Sequence, residues 1–229
     1  MDKRKGQTGY RFLVYFGGLL IMSLGFVFLI KSNMGATPWD VLHVGLYEHF
    51  GLTVGSWSII MGIGILTVAA LISKEFPNIG AFLNMLCVGI FIDFYMMLPF
   101  MVTPSSVLGK LIMFMAGMAL SSYGMGLYIS ASLGAGPRDS LMMALTTKTG
   151  WKVRNVRAAI ELIVLLIGWK LGGPINWGTI LFSTFIGPLA GIAIPQCNAI
   201  TTLFLAKVKK GDQAMSNVTF DNNNRGAKG

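Results

Sequence analysis

Charged residues, histidines and cysteines are scarce in this sequence, and each shortage excludes a class of protein. Only 12% of its 229 residues are charged, against about 25% in a typical soluble domain, so the chain cannot cover itself with a water-exposed surface. Two cysteines, both within apolar segments, exclude a disulfide scaffold. With only two histidines in the chain, the cysteines do not favour a zinc site either.

Apolar residues are abundant instead. They make up 54% of the chain, and the mean hydropathy is +0.66, which predicts an integral membrane protein. No segment alternates as a barrel strand would, so the expected fold class is all-α. The sequence contains no nucleophile elbow, phosphate-binding loop or paired-histidine helix, so we expect no enzyme, no metal site and no cofactor.

Six apolar segments approach the roughly 20 residues that a helix needs to cross a bilayer. These predicted spans are 12–30, 54–72, 79–98, 111–129, 156–171 and 177–194. Most of the 18 Lys and Arg residues fall in segments that lie inside if the N-terminus is inside. The positive-inside rule then places both termini in the cytoplasm. The net charge of +9 thus reflects orientation over an anionic inner leaflet, and nucleic-acid binding is not expected.

The two halves of the sequence resemble each other. Gly35-Ala-Thr-Pro-Trp-Asp40 recurs as Gly134-Ala-Gly-Pro-Arg-Asp139, 99 positions later, and glycines flanking the two copies match at the same offset. Because each half holds three spans, the second half enters the membrane from the opposite side. The sequence therefore predicts six transmembrane helices in two inverted three-helix repeats. The repeats are 11–103 and 104–206, between a cytoplasmic N-terminus (1–10) and a disordered, basic cytoplasmic tail (207–229).

The repeated motif is typical of a break between two helices. Gly35 and Gly134 can adopt the left-handed backbone that ends a helix, and Pro38 and Pro137 suit the first position of the next one. The helices predicted after the breaks are too short to cross a bilayer, so each is interfacial or a re-entrant half-helix. They cover residues 39–50 and 138–149.

Asp40 and Asp139 fall in the first turn of these short helices. There a carboxylate can cap the helix, or it can meet a substrate or a coupling cation in a polar cavity. Trp39 and Arg138 occupy the position at which the two motif copies clearly differ. We interpret Trp39 as part of an outer aromatic belt and Arg138 as a contact with the inner anionic face.

Two further acidic residues, Asp93 and Glu161, lie within predicted spans. A charge at mid-bilayer costs roughly 2.5–3.5 kcal/mol on insertion scales, so it usually faces a partner or a cavity. Glu161 could pair with Arg157 or Arg154, and Asp93 could lie near the outer interface. Alternatively, either could relay a proton or a cation. The candidate substrate- or ion-binding residues are therefore Asp40, Asp139, Asp93 and Glu161.

Several segments are similar to the YczE/YyaS/YitT group of bacterial membrane proteins, most closely to its YczE branch. They are the two motif copies and the blocks 132–140, 151–157 and 172–179, within a resemblance that extends from about residue 10 to residue 194. The resemblance implies a bacterial inner-membrane protein with five or six spans. The group has no agreed substrate, and the resemblance transfers no binding residue.

Two functions are expected from these features. The first is a small secondary transporter that moves an unknown small molecule by alternating access, because inverted halves can exchange conformations. The alternative is a non-transporting scaffold or accessory protein. For such a protein, the resemblance to the YczE group implies support of biosynthesis or export of a secreted product such as a lipopeptide, because some relatives are linked to lipopeptide production. That role would use the basic inner-loop residues Lys152, Arg154 and Arg157, which could equally contact anionic lipid. A homodimer is plausible because six spans give little bulk.

Overall fold

This computed structural model describes residues 8–134 and 136–226. The described residues form eight α-helices joined by loops, and they contain no strand. The helices are α1 (Thr8–Ser32), α2 (Pro38–Phe50), α3 (Val54–Ser73), α4 (Ile79–Met96), α5 (Val107–Ser130), α6 (Pro137–Thr149), α7 (Val153–Lys170) and α8 (Trp177–Gly226). The all-α prediction is confirmed. Most of the predicted N-terminal segment (1–7) and the last three tail residues (227–229) lie outside the described residues.

Five of the described helices are long and apolar enough to cross a membrane. They are α1, α3, α4, α5 and the Trp177–Val208 part of α8. The sixth predicted span corresponds to α7, which has 18 residues but is not among the five. Its sequence includes Arg154, Arg157, Glu161 and Lys170, so composition alone does not mark it as a span.

The last helix is longer than the sequence predicted. The sixth predicted span ended at residue 194 and the disordered tail began at residue 207, whereas α8 runs from Trp177 to Gly226 with two prolines inside it. Extending an existing helix adds one hydrogen bond for each residue that is fixed, whereas starting a helix is unfavourable. Polar residues that would not nucleate a helix can therefore continue one. The cytoplasmic location of this segment stays a prediction.

The backbone repeats at the same offset as the sequence. Each half contains a long helix, a 13-residue helix and two further long helices. The positive φ angles also recur in pairs: 52° at Asn33 and 55° at Ser132, then 140° at Gly35 and 141° at Gly134. The duplication seen in the sequence therefore extends to the local conformation of the chain.

α1 and α5 pack against each other through matched glycines. A Cβ on Gly18 would lie 3.0 Å from the carbonyl oxygen of Gly124, and a Cβ on Gly117 would lie 2.9 Å from that of Gly25. Along this contact the residue numbers rise in α1 while they fall in α5. The two helices are therefore antiparallel, and the helix breaks that follow them lie at opposite ends of the pair.

The eight helices form two groups, each of which takes equivalent helices from both halves. One group, the core bundle, consists of α1, α4, α5 and α8, and contains most of the largest cluster of buried apolar side chains. The other group, the motif bundle, consists of α2, α3, α6 and α7, in which α2 packs on α7 and α3 packs on α6. The repeats predicted at 11–103 and 104–206 are thus interleaved in space.

Candidate functional site

A cavity of about 120 Å³ lies between the core bundle and the motif bundle. Residues from both motif copies line it: Thr37, Pro38 and Trp39 at the start of α2, and Gly136, Pro137, Arg138 and Asp139 at the start of α6. The core bundle contributes mainly apolar side chains. The starts of α2 and α6, which are distant in sequence, therefore meet at one site.

The local sequence explains how the breaks are built. Gly35 and Gly134 have φ angles near +140°, a conformation that side-chain-bearing residues rarely adopt. Pro38 is at the start of α2, where the Thr37 side chain accepts a hydrogen bond from the Asp40 amide at 3.1 Å. The N-cap of α6 is a glycine, which makes no such side-chain bond.

Asp40 is fully buried beside the cavity wall. Its Oδ2 accepts a 2.8 Å hydrogen bond from the hydroxyl of Thr37, and its Oδ1 lies 3.8 Å from Nδ1 of His43. Neither of these last two atoms has a hydrogen-bond partner in the described part of the chain. Burial lowers the pKa of His43 below its ordinary value, although Asp40 opposes this shift. We therefore treat His43 as a neutral imidazole at pH 7.

Asp139 and Glu161 both line the cavity, and each has a partner. Oδ2 of Asp139 accepts a hydrogen bond from the Tyr128 hydroxyl at 2.9 Å. Oε1 of Glu161 accepts one from Nε of Arg157 at 2.8 Å. Of the two partners considered for Glu161 in the sequence, the structure selects Arg157, one helical turn before it on α7.

Asp93, the fourth acidic candidate, does not line the cavity. Its Oδ2 accepts a 2.6 Å hydrogen bond from the Thr53 hydroxyl, and its Oδ1 accepts a 2.8 Å bond from the amide of Gly55. This carboxylate satisfies the free N–H of Gly55 in the first turn of α3, next to the N-cap Thr53, and meets the positive end of the helix dipole. Asp93 therefore fastens α4 to α3, where Gly55 and Gly89 also pack closely.

Replacing Asp93 with alanine is expected to destabilise the protein by about 0.5–2 kcal/mol, the usual cost of losing a helix cap. The reason is that the α3 N-terminus loses both bonds from this carboxylate. Thermal unfolding in detergent measures the effect. The matched control is Glu75→Ala, which removes an exposed carboxylate from the next loop. Equal melting temperatures for the two variants would show that Asp93 does not fasten these helices.

Arg138 is a cavity residue that the sequence did not reveal. Its expected place was the inner membrane face, but its Cζ lies 5.0 Å from the ring centroid of Trp39 and 5.7 Å from that of Phe26. Burial lowers the pKa of Arg138, while Asp40 and Asp139 oppose that shift. One feature of the sequence could have identified Arg138. It occupies the motif position at which the first copy has Trp39, and this is the position at which the two copies differ most.

Asn84 is a second cavity residue that the sequence analysis did not single out. It lies on α4, lines the cavity and is 6% exposed. Its Nδ2 forms no hydrogen bond of good geometry with a described residue, although the Tyr15 hydroxyl interacts with this side chain. A buried donor without an acceptor is costly, so this amide is available to a bound molecule.

The three basic residues predicted for the inner loop lie in two different environments, the exposed surface and the cavity. Lys152 and Arg154 are exposed, whereas Arg157 is half-buried and lines the cavity beside Glu161. Arg157 therefore belongs to the cavity and does not extend the exposed basic surface. Among the described residues, no group of three or more His, Cys, Asp or Glu side chains is arranged to hold a metal ion.

The apolar helices and the cavity between them define a multi-helix membrane protein. The chain belongs to a family of unknown function, DUF6198, which matches residues 9–195. It is 47% identical over 194 residues to the uncharacterized membrane protein YczE of Bacillus subtilis (strain 168), a match that covers 84% of this chain and 89% of that protein. The resemblance to the YczE group that the motifs indicated is thus confirmed.

Two more distant relatives extend this comparison. An uncharacterized protein of Haemophilus influenzae is 30% identical over 169 residues, covering 74% of this chain and 76% of the relative. The uncharacterized protein YyaS of Bacillus subtilis is 30% identical over 200 residues, covering 86% of this chain and 98% of the relative. No solved structure matches the chain significantly.

Proposed function

We propose that this protein is a small secondary transporter of the bacterial plasma membrane, built from six spans in two inverted halves. The observation that carries the proposal is the cavity at the interface of two interleaved bundles, lined by both copies of the helix-break motif. In inverted-repeat transporters, substrate sites lie at the repeat interface, where broken helices end.

The antiparallel packing of α1 and α5 supports the inverted arrangement. If both helices cross the bilayer, the pseudo-two-fold axis that relates them lies in the membrane plane. The composition of α7 does not prevent it from being the sixth span. Arg157 and Glu161 neutralise each other and face the cavity, while Arg154 and Lys170 lie near the two ends of the helix. None of these charges needs to enter the middle of the lipid.

The uneven contact between the two bundles supports alternating access. α3 is packed on α4, where Gly55, Gly89 and Asp93 meet, but the equivalent pair α7 and α8 makes no comparable contact. The equivalent residues of the second half are Arg154 on α7 and Gly187 and Gly191 on α8, so this pair lacks both the small residue at the start of α7 and the carboxylate that fastens α4 to α3. We infer that the bundles pivot about the α3–α4 contact and that α7 moves relative to α8, which opens the cavity to each side in turn.

A single cysteine in the cavity tests this proposal. In a background in which Cys87 and Cys197 are replaced by alanine, Ser58→Cys places a thiol in the cavity wall on α3. We expect a membrane-impermeant maleimide to label it both from outside intact cells and from the cytoplasmic face in inverted vesicles. Alternating access requires reactivity from both sides, since the cavity faces each compartment for part of the time.

Two exposed positions serve as markers of sidedness in the same assay. His49→Cys and Lys148→Cys are equivalent in the repeat and lie at the ends of α2 and α6. We expect the first to react only from outside and the second only from the cytoplasmic face. If both react from one compartment, the halves are not inverted. If Ser58→Cys reacts from one side only, an accessory role without transport is favoured.

We also propose that Lys152 and Arg154 contact the anionic inner leaflet. Both are exposed between α6 and α7, on the side that the positive-inside rule assigns to the cytoplasm. Basic residues close to an anionic membrane surface are each worth about 1 kcal/mol of attraction.

A further inference from the structure

The charged groups of the cavity are not equally satisfied. Glu161 is paired with Arg157, and Asp139 accepts a bond from Tyr128. Arg138 makes no hydrogen bond or ion pair with any of the described residues, and its guanidinium lies over the faces of Trp39 and Phe26. Stacking of this kind fixes the orientation of a guanidinium and leaves its N–H donors free at the edge.

Two further donors lie at the same wall. The amide nitrogen of Asn84 is buried and forms no hydrogen bond of good geometry with a described residue. Gly136, the N-cap of α6, makes no side-chain cap bond, so the first N–H groups of this 13-residue helix remain available. A Cβ on Gly136 would lie 3.0 Å from Oδ1 of Asn84, so the amide and the helix end are adjacent. The positive end of a helix favours an anion.

We propose that the cavity binds a small carboxylate monoanion, with its carboxylate held by Arg138, the Asn84 amide and the start of α6. The proposal deepens the transport function proposed above and rests on it, because it names the substrate class of that transporter. A planar guanidinium matches the two oxygens of a carboxylate, and the resulting pair of charge-assisted hydrogen bonds is strong and specific.

The rest of the cavity selects among anions. Its other walls include apolar side chains of the core bundle, such as Met85, Val88, Phe182 and Ile186, which suit an apolar tail. The volume of about 120 Å³ is somewhat below that of an engineered cavity of about 150 Å³ that holds benzene, so the tail must be short. The neighbouring carboxylates of Asp139 and Glu161 disfavour a second negative charge.

An amine is the competing ligand, because three carboxylates lie near the cavity. Asp139 and Glu161 already have hydrogen-bonded partners, however, and Asp40 is fully buried behind the wall. Among the described charged side chains that line the cavity, Arg138 alone has no hydrogen-bonded partner, so the free donors at this wall are complementary to an anion.

Isothermal titration calorimetry on the full-length protein in nanodiscs tests the proposal. The probes are the straight-chain carboxylates from acetate to hexanoate, each compared with its own amide and its own amine. At least one carboxylate is expected to bind about tenfold or more tightly than both neutral and cationic analogues. If no carboxylate exceeds its amide or amine, the proposal is wrong.

Variants locate the binding site. Arg138→Gln is expected to weaken carboxylate binding by about tenfold or more, and Arg138→Lys to recover only part of it, because an ammonium cannot form the paired bonds. Arg154→Gln is the matched control, since it removes an exposed arginine outside the cavity. Asn84→Asp keeps the shape but adds a like charge, so it should also weaken binding. Unchanged binding in both Arg138→Gln and Asn84→Asp would overturn the assignment.

The outcomes separate this inference from the transport function. If Ser58→Cys is labelled from both sides but no carboxylate is preferred, the substrate class is wrong and the transporter proposal stands. If a carboxylate binds through Arg138 but Ser58→Cys reacts from one side only, the anion site is supported and the transporter proposal fails.

Discussion

Replacing Gly35 or Gly134 with alanine is expected to reduce folded protein more than any other single change proposed for this chain. Both residues have φ angles near +140°, where a Cβ is strained by about 1–3 kcal/mol. A Cβ on Gly35 would also collide with the backbone of Thr179, and a Cβ on Gly134 would lie 3.1 Å from Cα of Gly80. Overpacking adds about 1–3 kcal/mol, so the total is a large part of a typical stability of about 5–15 kcal/mol.

Two other glycines separate the two contributions. Gly17 is helical and Gly150 has a φ of 71°, and a Cβ added to either residue would meet no other group within 4 Å. Gly17→Ala should therefore be neutral or stabilise α1 by up to about 1 kcal/mol, and Gly150→Ala should show the cost of a positive φ without a steric contact. Fluorescence-detected size-exclusion chromatography and thermal unfolding in detergent measure all four variants. If Gly35→Ala and Gly150→Ala have the same melting temperature, the contact between residue 35 and Thr179 is not tight.

The helix breaks could be predicted from the sequence because they depend on local chemistry. Glycine permits the unusual backbone, and proline suits the first turn, wherever the two occur. The predicted short helices 39–50 and 138–149 consequently differ from α2 and α6 by one residue at the start, since Pro38 and Pro137 are already helical. The repeat could be recognised for the same reason, because its glycines and prolines recur at a fixed spacing in the sequence.

The composition of the candidate site could be predicted only in part. Asp139 and Glu161 line the cavity and Asp40 lies behind its wall, but Asp93 belongs to the α3–α4 contact. Arg138 was missed because a rule about charge near membrane surfaces was applied to a residue whose surroundings come from the other half of the chain. Which residues from distant segments meet depends on how the two halves interleave, and neither hydropathy nor spacing encodes that packing.

Asp40→Asn is expected to change binding and net transport in opposite directions. Of the acidic residues that act on Arg138, Asp40 has the largest effect, although no ion pair joins the two. Removing its negative charge leaves the guanidinium less compensated, so a carboxylate should bind several-fold more tightly. Equilibrium titration with the carboxylate that binds the wild type best measures this change, and Glu75→Gln, an exposed charge outside the cavity, is the control.

The same variant should lose at least about tenfold in net uptake into proteoliposomes, because the empty carrier must then reorient with an unbalanced guanidinium in a partly desolvated cavity. Exchange of internal for external carboxylate should persist, since the bound anion supplies the missing charge in both directions. This split distinguishes a counter-charge from a helix cap: loss of a cap would lower stability, uptake and exchange together. If Asp40→Asn weakens binding, or if exchange falls as far as net uptake, Asp40 does not balance Arg138 in the empty transporter.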